Sequence, residues 1–191
     1  MASTSPLTVW TIGHSTRSLA EFVELLKTNR IELLADVRRF PGSRKYPHFN
    51  QEQLATTLGE EAIEYRLLAD LGGRRRARPD SPNTAWRNAS FRGYADYMET
   101  AEFQDAVGEL MRIASNRRTA IMCSEAVWWR CHRSMIADEL KVRGATVLHI
   151  LSSTKVEPHP YTSAAKVIEG RLSYAATDNI PSAKQQQLDF S

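Results

Sequence analysis

The feature that most constrains this chain is an alternation, kept from Leu7 to Leu151, of short apolar runs with amphipathic helical stretches. Leu7–Ile12, Ile31–Val37, Ile63–Leu68, Thr119–Cys123 and Ala145–Leu151 are each of strand length. Between the first two, Leu19, Phe22, Val23, Leu25 and Leu26 recur at helical spacing before Asn29. A short helix is predicted from an Asn50 N-cap to about Ala62. A long one, whose apolar face admits a kink, is predicted over Tyr94 to Ser115, and a third over Val127 to Val142, closed by Gly144. Parallel neighbouring strands need a crossover, and a helix supplies it. The pattern therefore predicts a single α/β domain over residues 1–175, Rossmann-like, with a mainly parallel sheet of about five strands and helices on both faces. Strand order is not contained in chain order. Residues 176–191 are polar and read as a flexible tail.

At 191 residues the chain can bury roughly 70% of its unfolded surface in one core. Its 42% hydrophobic and 25% charged residues exclude a fibrous or disordered class. The apolar runs are too short to cross a bilayer, and the start, MASTSPLTVW, lacks the charged and apolar regions of an export signal, so the expected location is cytoplasmic with no membrane partner. Cys123 and Cys131 are too few for a disulfide framework and are read as free thiols that serve either packing or chemistry. Nothing in the sequence specifies a cofactor.

Charge is unevenly placed. Arg66, Arg74, Arg75, Arg76, Arg78, Arg87 and Arg92 face only Asp70 and Asp80 over one stretch, a local balance of +5 in a chain whose net charge is +3. Most of them fall in Arg74 to Ser90, a long loop without apolar periodicity. The cluster fits a polyanion such as DNA or a nucleotide, or a solvated loop of arginines.

In parallel α/β sheets ligands bind beyond the carboxyl ends of the strands. His14 and Arg17 follow the first run, Asp36 and Arg38 close the second, and Cys123, Ser124 and Glu125 follow the fourth. Cys123, placed before a predicted helix N-terminus, is a candidate nucleophile or a small buried hydrophobe. Glu125, Asp36 and His14 are candidate acid/base groups, and Arg17, Arg38, Arg130 and Arg133 candidate anion ligands. Alternatively, Asp36 pairs with Arg38, Glu125 with Arg133, and His14 bonds Asp36, fixing strand ends without chemistry. Trp128 is a candidate stacking surface for a nucleobase or a core residue. Six residues separate Cys123 from Arg130, one more than a tyrosine-phosphatase loop has. No metal is expected, because Cys131 and His132, adjacent on the predicted helix, point about 100° apart.

The run Thr11–Arg17, Asp36-Val-Arg38, Leu71-Gly-Gly73, Phe91–Met98, Met122–Glu125, Cys131-His-Arg133 and His159–Thr162 together resemble the family catalogued as domain of unknown function 488. The resemblance implies an α/β fold and a polar motif set, with no established reaction. Separately, Gln185-Gln-Gln-Leu188-Asp-Phe190 is similar to the Gln-x-x-Leu-x-Phe peptides that bind the bacterial sliding clamp through a glutamine and two apolar anchors. The combined expectation is an enzyme acting on nucleic acid or a nucleotide in DNA repair or replication, with the arginine loop on phosphates. The alternatives are a non-catalytic nucleic-acid or nucleotide binding module, and an enzyme acting on a small anionic metabolite.

Overall fold

The computed structural model describes residues 7–176. The clamp-like segment with Gln185, Leu188 and Phe190 lies outside the described residues. Five parallel strands form the body of the sheet: β1 (Thr8–Gly13), β2 (Leu33–Asp36), β3 (Glu64–Leu67), β4 (Thr119–Cys123) and β5 (Thr146–Ile150). A sixth, β6 (Val156–Pro158), returns antiparallel along β5, and the order across the sheet is β3-β2-β4-β1-β5-β6.

Alternation along each strand divides the core in two. Val9, Leu33, Ala35, Ile121, Cys123 and Val147 face one side, and Trp10, Ile12, Leu34, Ala120, Met122 and Leu148 the other. Helices α1 (Leu19–Thr28) and α2 (Gln51–Glu60) cover the second face with Phe22, Leu26, Leu54 and Leu58. Helices α3 (Ala89–Met98), α4 (Ala101–Ala114) and α5 (Arg133–Val142) cover the first with Tyr94, Phe103, Leu110, Met135 and Leu140. The predicted doubly covered, mainly parallel α/β architecture is therefore present. Ser18 caps α1 by accepting from the Glu21 amide in the Ser-x-x-Glu pattern of a capping box. Gly144, at φ +87°, ends α5 in the left-handed conformation open to glycine.

Three expectations are corrected. The predicted Tyr94–Ser115 helix is two helices, because Thr100 leaves the helical conformation and turns its hydroxyl to accept from the Phe103 amide, starting α4 afresh. The predicted Val127–Val142 helix begins only at Arg133: a 3-10 turn, Trp128–Arg130, and an extended Cys131 precede it. Beyond β5, the chain adds β6 and a hairpin of β7 (Lys166–Ile168) and β8 (Arg171–Ser173). The hairpin turns through Glu169 and Gly170, both at positive φ, as a tight two-residue loop requires.

That last segment is anchored by a buried polar chain. The Thr11 hydroxyl lies 2.7 Å from His149 Nδ1, His149 Nε2 lies 2.9 Å from His159 Nδ1, and His159 Nε2 lies 2.9 Å from Asp138 Oδ1. Asp138 also accepts from the Thr162 amide and hydroxyl and the Tyr174 hydroxyl. The carboxylate can only accept here, so His159 donates from Nε2, and a relay in which each ring donates from Nε2 and accepts at Nδ1 satisfies every member of the chain. Burial, then His159, then Arg133 push the His149 pKa down to about 3.

Candidate functional site

The strand order decides where a ligand can sit. The chain leaves β1 through α1 on one face toward β2, and leaves β4 through α5 on the opposite face toward β5. Adjacent β1 and β4 thus form the switch point of the sheet, where the following loops part and open a crevice. Here the amides of His14 and Ser15 bond the carbonyls of Cys123 and Ser124, carrying the pairing past the strand ends. Gly13 is needed at this junction, since a Cβ there would lie 1.8 Å from the Glu125 carbonyl oxygen.

The crevice opens into a cleft of about 710 Å³. Its walls hold the cations Arg38, Arg39, Lys45, Arg74 and Arg130 against one carboxylate, Glu125. His14, Tyr46, Phe91 and Tyr94 supply ring surface, and Cys123, Cys131 and His132 line it as well. Phe40, 62% exposed, lies at the rim with the Arg39 and Arg74 guanidiniums 5.6 and 5.9 Å from its ring centre.

Cys131 is the thiol best placed to ionise. Its side chain lies before the N-terminus of α5, where the helix dipole favours negative charge, and the Arg133 amide donates to Sγ over 3.5 Å. Burial opposes ionisation, but the hydrogen bond from Cys123, the Arg133 charge and that amide outweigh it and hold the Cys131 pKa below its ordinary value. The hydrogen bond to Cys131, then burial, push the Cys123 thiol well up. This moves the helix N-terminus expected beside Cys123 to Cys131, because α5 starts ten residues after β4 ends.

His132 completes the arrangement, and its ring orientation is fixed. Nε2 lies 3.0 Å from the Val37 carbonyl, which can only accept, so the proton resides on Nε2. In the neutral ring Nδ1 is then the acceptor, and it faces Cys131 Sγ at 3.6 Å. A thiol, a base aimed at it and a carbonyl that orients the base are the parts of an activated nucleophile. Gly73 leaves the room: its Cβ would meet His132 Nδ1 at 3.0 Å.

Cys123, Cys131 and His132 are also a group whose ligand atoms lie within 4.8 Å of one another. The geometric reason for expecting no metal therefore fails, as Cys131 is extended and not helical. The sulfurs themselves are 2.6 Å apart. A tetrahedral zinc with bonds of about 2.3 Å would hold them at roughly 3.8 Å, so their placement suits sulfur–sulfur chemistry better than a shared ion.

The remaining expected residues divide clearly. Asp36 is fully buried and engaged by Arg38 through Nε and Nη2 and by the Tyr65 hydroxyl, which makes it the anchor of Arg38. Arg38 also bonds the Phe49 carbonyl and directs Nη1 toward His14 Nε2 at 3.5 Å. His14 does not bond Asp36. Its Nδ1 faces the Ser15 carbonyl, and burial followed by Arg38 lowers its pKa to about 4. Arg133 is 1% exposed and donates to the Ile12, Glu125 and Ala126 carbonyls, so it holds the loop after β4 and does not pair with the Glu125 carboxylate.

Arg17 donates to the Gly13 and Leu151 carbonyls and forms an ion pair with the Glu21 carboxylate. Trp128 is buried, stacked 4.5 Å from His149, and cannot also stack on a base; the exposed tryptophan is Trp129. Of the basic loop, only Arg74 lines the cleft. Arg75 packs on Tyr97, Arg78 pairs with Asp96 and Glu99, and Arg76 is exposed. The residues the sequence reading undervalued are Cys131 and His132. Their signal was Cys-His-Arg within the family-like motif set, masked by the assumption of a continuous helix.

Among the described residues no helix is long and apolar enough to cross a membrane. No curated protein matches the chain, and no solved structure matches it. A family model does match, over residues 18–140, which contain β2, β4, both cysteines and His132. The chain belongs to the family described as Domain of unknown function DUF488.

Proposed function

We propose that this protein is a cytoplasmic enzyme that uses Cys131, with His132 as its base, on an anionic substrate of nucleotide class bound in the switch-point cleft. The observation that carries the reading is the His132 ring, held by the Val37 carbonyl so that Nδ1 faces Cys131 Sγ at the base of a cation-lined cleft. Arg38, Arg39, Arg74 and Lys45 would attract phosphate, and Phe40 between two guanidiniums would stack on a base. Glu125 is the carboxylate available to donate or take a second proton. Deep enclosure of the thiols favours a nucleotide or a strand end over the middle of a duplex. The role in DNA repair or replication rests on Gln185, Leu188 and Phe190, which would tether the enzyme to the sliding clamp.

The test is a panel of nucleoside mono-, di- and triphosphates and short single-stranded oligonucleotides, with binding followed calorimetrically at low salt and products by mass spectrometry. Binding that weakens with salt, and turnover lost in Cys131→Ser and His132→Ala while binding persists, is the expected pattern. Full turnover in Cys131→Ser, or no binding by any member at low salt, would overturn the reading.

A further inference from the structure

The thiol that the proposed reaction leaves unused is Cys123. Its Sγ lies 2.6 Å from that of Cys131, and a disulfide bond is about 2.05 Å long, so bond formation needs the sulfurs to approach by only about 0.6 Å. Both sulfurs line the same cleft. Cys123 ends β4 and Cys131 is an extended residue fixed before α5, so neither secondary-structure element has to unfold for the pair to join. A buried thiol held against a second one that is better placed to ionise is the arrangement of an attacking and a resolving cysteine.

We propose that Cys131 and Cys123 form a reversible disulfide when the protein meets a hydroperoxide, giving the cleft a peroxide-reducing activity of its own. In the first step the Cys131 thiolate attacks one peroxide oxygen. An S–O bond forms, the O–O bond breaks, the sulfur loses two electrons, and the departing alkoxide or hydroxide takes a proton from solvent. In the second, Cys123 attacks the resulting sulfenic sulfur. The S–S bond forms, the S–O bond breaks, and the oxygen leaves as water with the proton of the Cys123 thiol. Two equivalents of a small thiol then restore the dithiol. The cycle rests on Cys131 being the thiolate, as the proposed function does, and the disulfide removes that thiolate from any other reaction in the cleft.

Hydrogen peroxide at one equivalent, added to the reduced full-length protein and followed by intact mass and peptide mapping, tests this. The expected product is lighter by about 2 Da, carries a Cys123–Cys131 crosslink, and returns to the starting mass with dithiothreitol. Cys123→Ser, deprived of the resolving thiol, should instead gain about 16 Da at Cys131 as sulfenic acid, and about 32 Da as sulfinic acid once a second equivalent of peroxide is added. Wild-type protein that accumulates sulfinic acid without a crosslink, or that takes up no oxygen and forms no crosslink, would overturn the proposal. Absorbance of the thiolate at 240 nm on the same sample separates the two readings. A Cys131 that ionises near neutral pH yet forms no crosslink removes only the peroxide activity, whereas a Cys131 that does not ionise removes both.

Discussion

Replacing Arg133 with methionine removes a cation that has no carboxylate partner among the described residues, although it is 1% exposed. Three donated bonds are lost, to the Ile12, Glu125 and Ala126 carbonyls. Bonds from a charged donor contribute about 1.5–3 kcal/mol each. Two corrections reduce the sum. The Glu125 and Ala126 carbonyls belong to exposed residues and regain water, and Arg133 Nε is already buried without a partner, a cost the methionine relieves. The expected net loss is about 3 kcal/mol, read as a lower urea midpoint at unchanged slope.

The same change removes the positive charge that favours the Cys131 thiolate. Its pKa should rise, read as a later onset of thiolate absorbance in a 240 nm titration taken against Cys131→Ser. Arg133→Lys keeps the charge and loses the fork, so it should restore most of the titration and little of the stability. An Arg133→Met protein with wild-type stability and a wild-type thiol titration would refute the reasoning.

Acid should destabilise the fold through its neutral histidines. The folded pKa is about 3 for His149 and about 4 for His14, against 6.5 unfolded, so the unfolded chain binds more protons below pH 6.5. Their contribution is complete above that pH and is lost as pH falls from 6.5 toward 4 and 3, by up to about 1.4 kcal/mol per pH unit for each residue. Urea midpoints that do not move between pH 7 and pH 5 would contradict this. Asp138→Ala leaves His159, Tyr174 and both Thr162 donors unpaired, and should cost about 3–5 kcal/mol, with amide exchange rising first in β7 and β8. Deleting residues 185–191 should abolish pull-down by the sliding clamp while leaving the unfolding midpoint unchanged; retained pull-down would reject the motif.

The architecture was legible because period-2 and period-3.6 patterns are local. Val9, Leu33, Ile121 and Val147 sort to one face of the sheet and α1 is announced by Leu19, Phe22, Val23, Leu25 and Leu26 at helical spacing, all within a few residues of sequence. What failed to show was set over longer distances. The break at Thr100 and the late start of α5 interrupt apolar periods that continue through them, so pattern reading joined the pieces. That error moved the helix dipole from Cys131 to Cys123 and set Cys131 and His132 on diverging directions.

The position of the site was legible from the strand ends, since His14, Arg38, Cys123 and Glu125 do meet in one cleft. The pairing of residues within it was not. Arg133 is drawn to carbonyls across the switch point, and Trp128 to a histidine 21 residues on, by contacts that no spacing encodes. Likewise the hairpin β7–β8 is too short and too exposed to stand out from a polar segment.

The central claim is that Cys131 is a reactive thiolate in a cleft that attracts anions. Alkylation of the reduced protein with limiting iodoacetate and with iodoacetamide, mapped by peptide mass spectrometry at several salt concentrations, tests it most directly. The account predicts that Cys131 is modified before Cys123, that the anionic reagent is favoured over the neutral one relative to free cysteine, and that salt erodes the preference. Modification of Cys123 first, or a reagent preference equal to that of free cysteine, would contradict it.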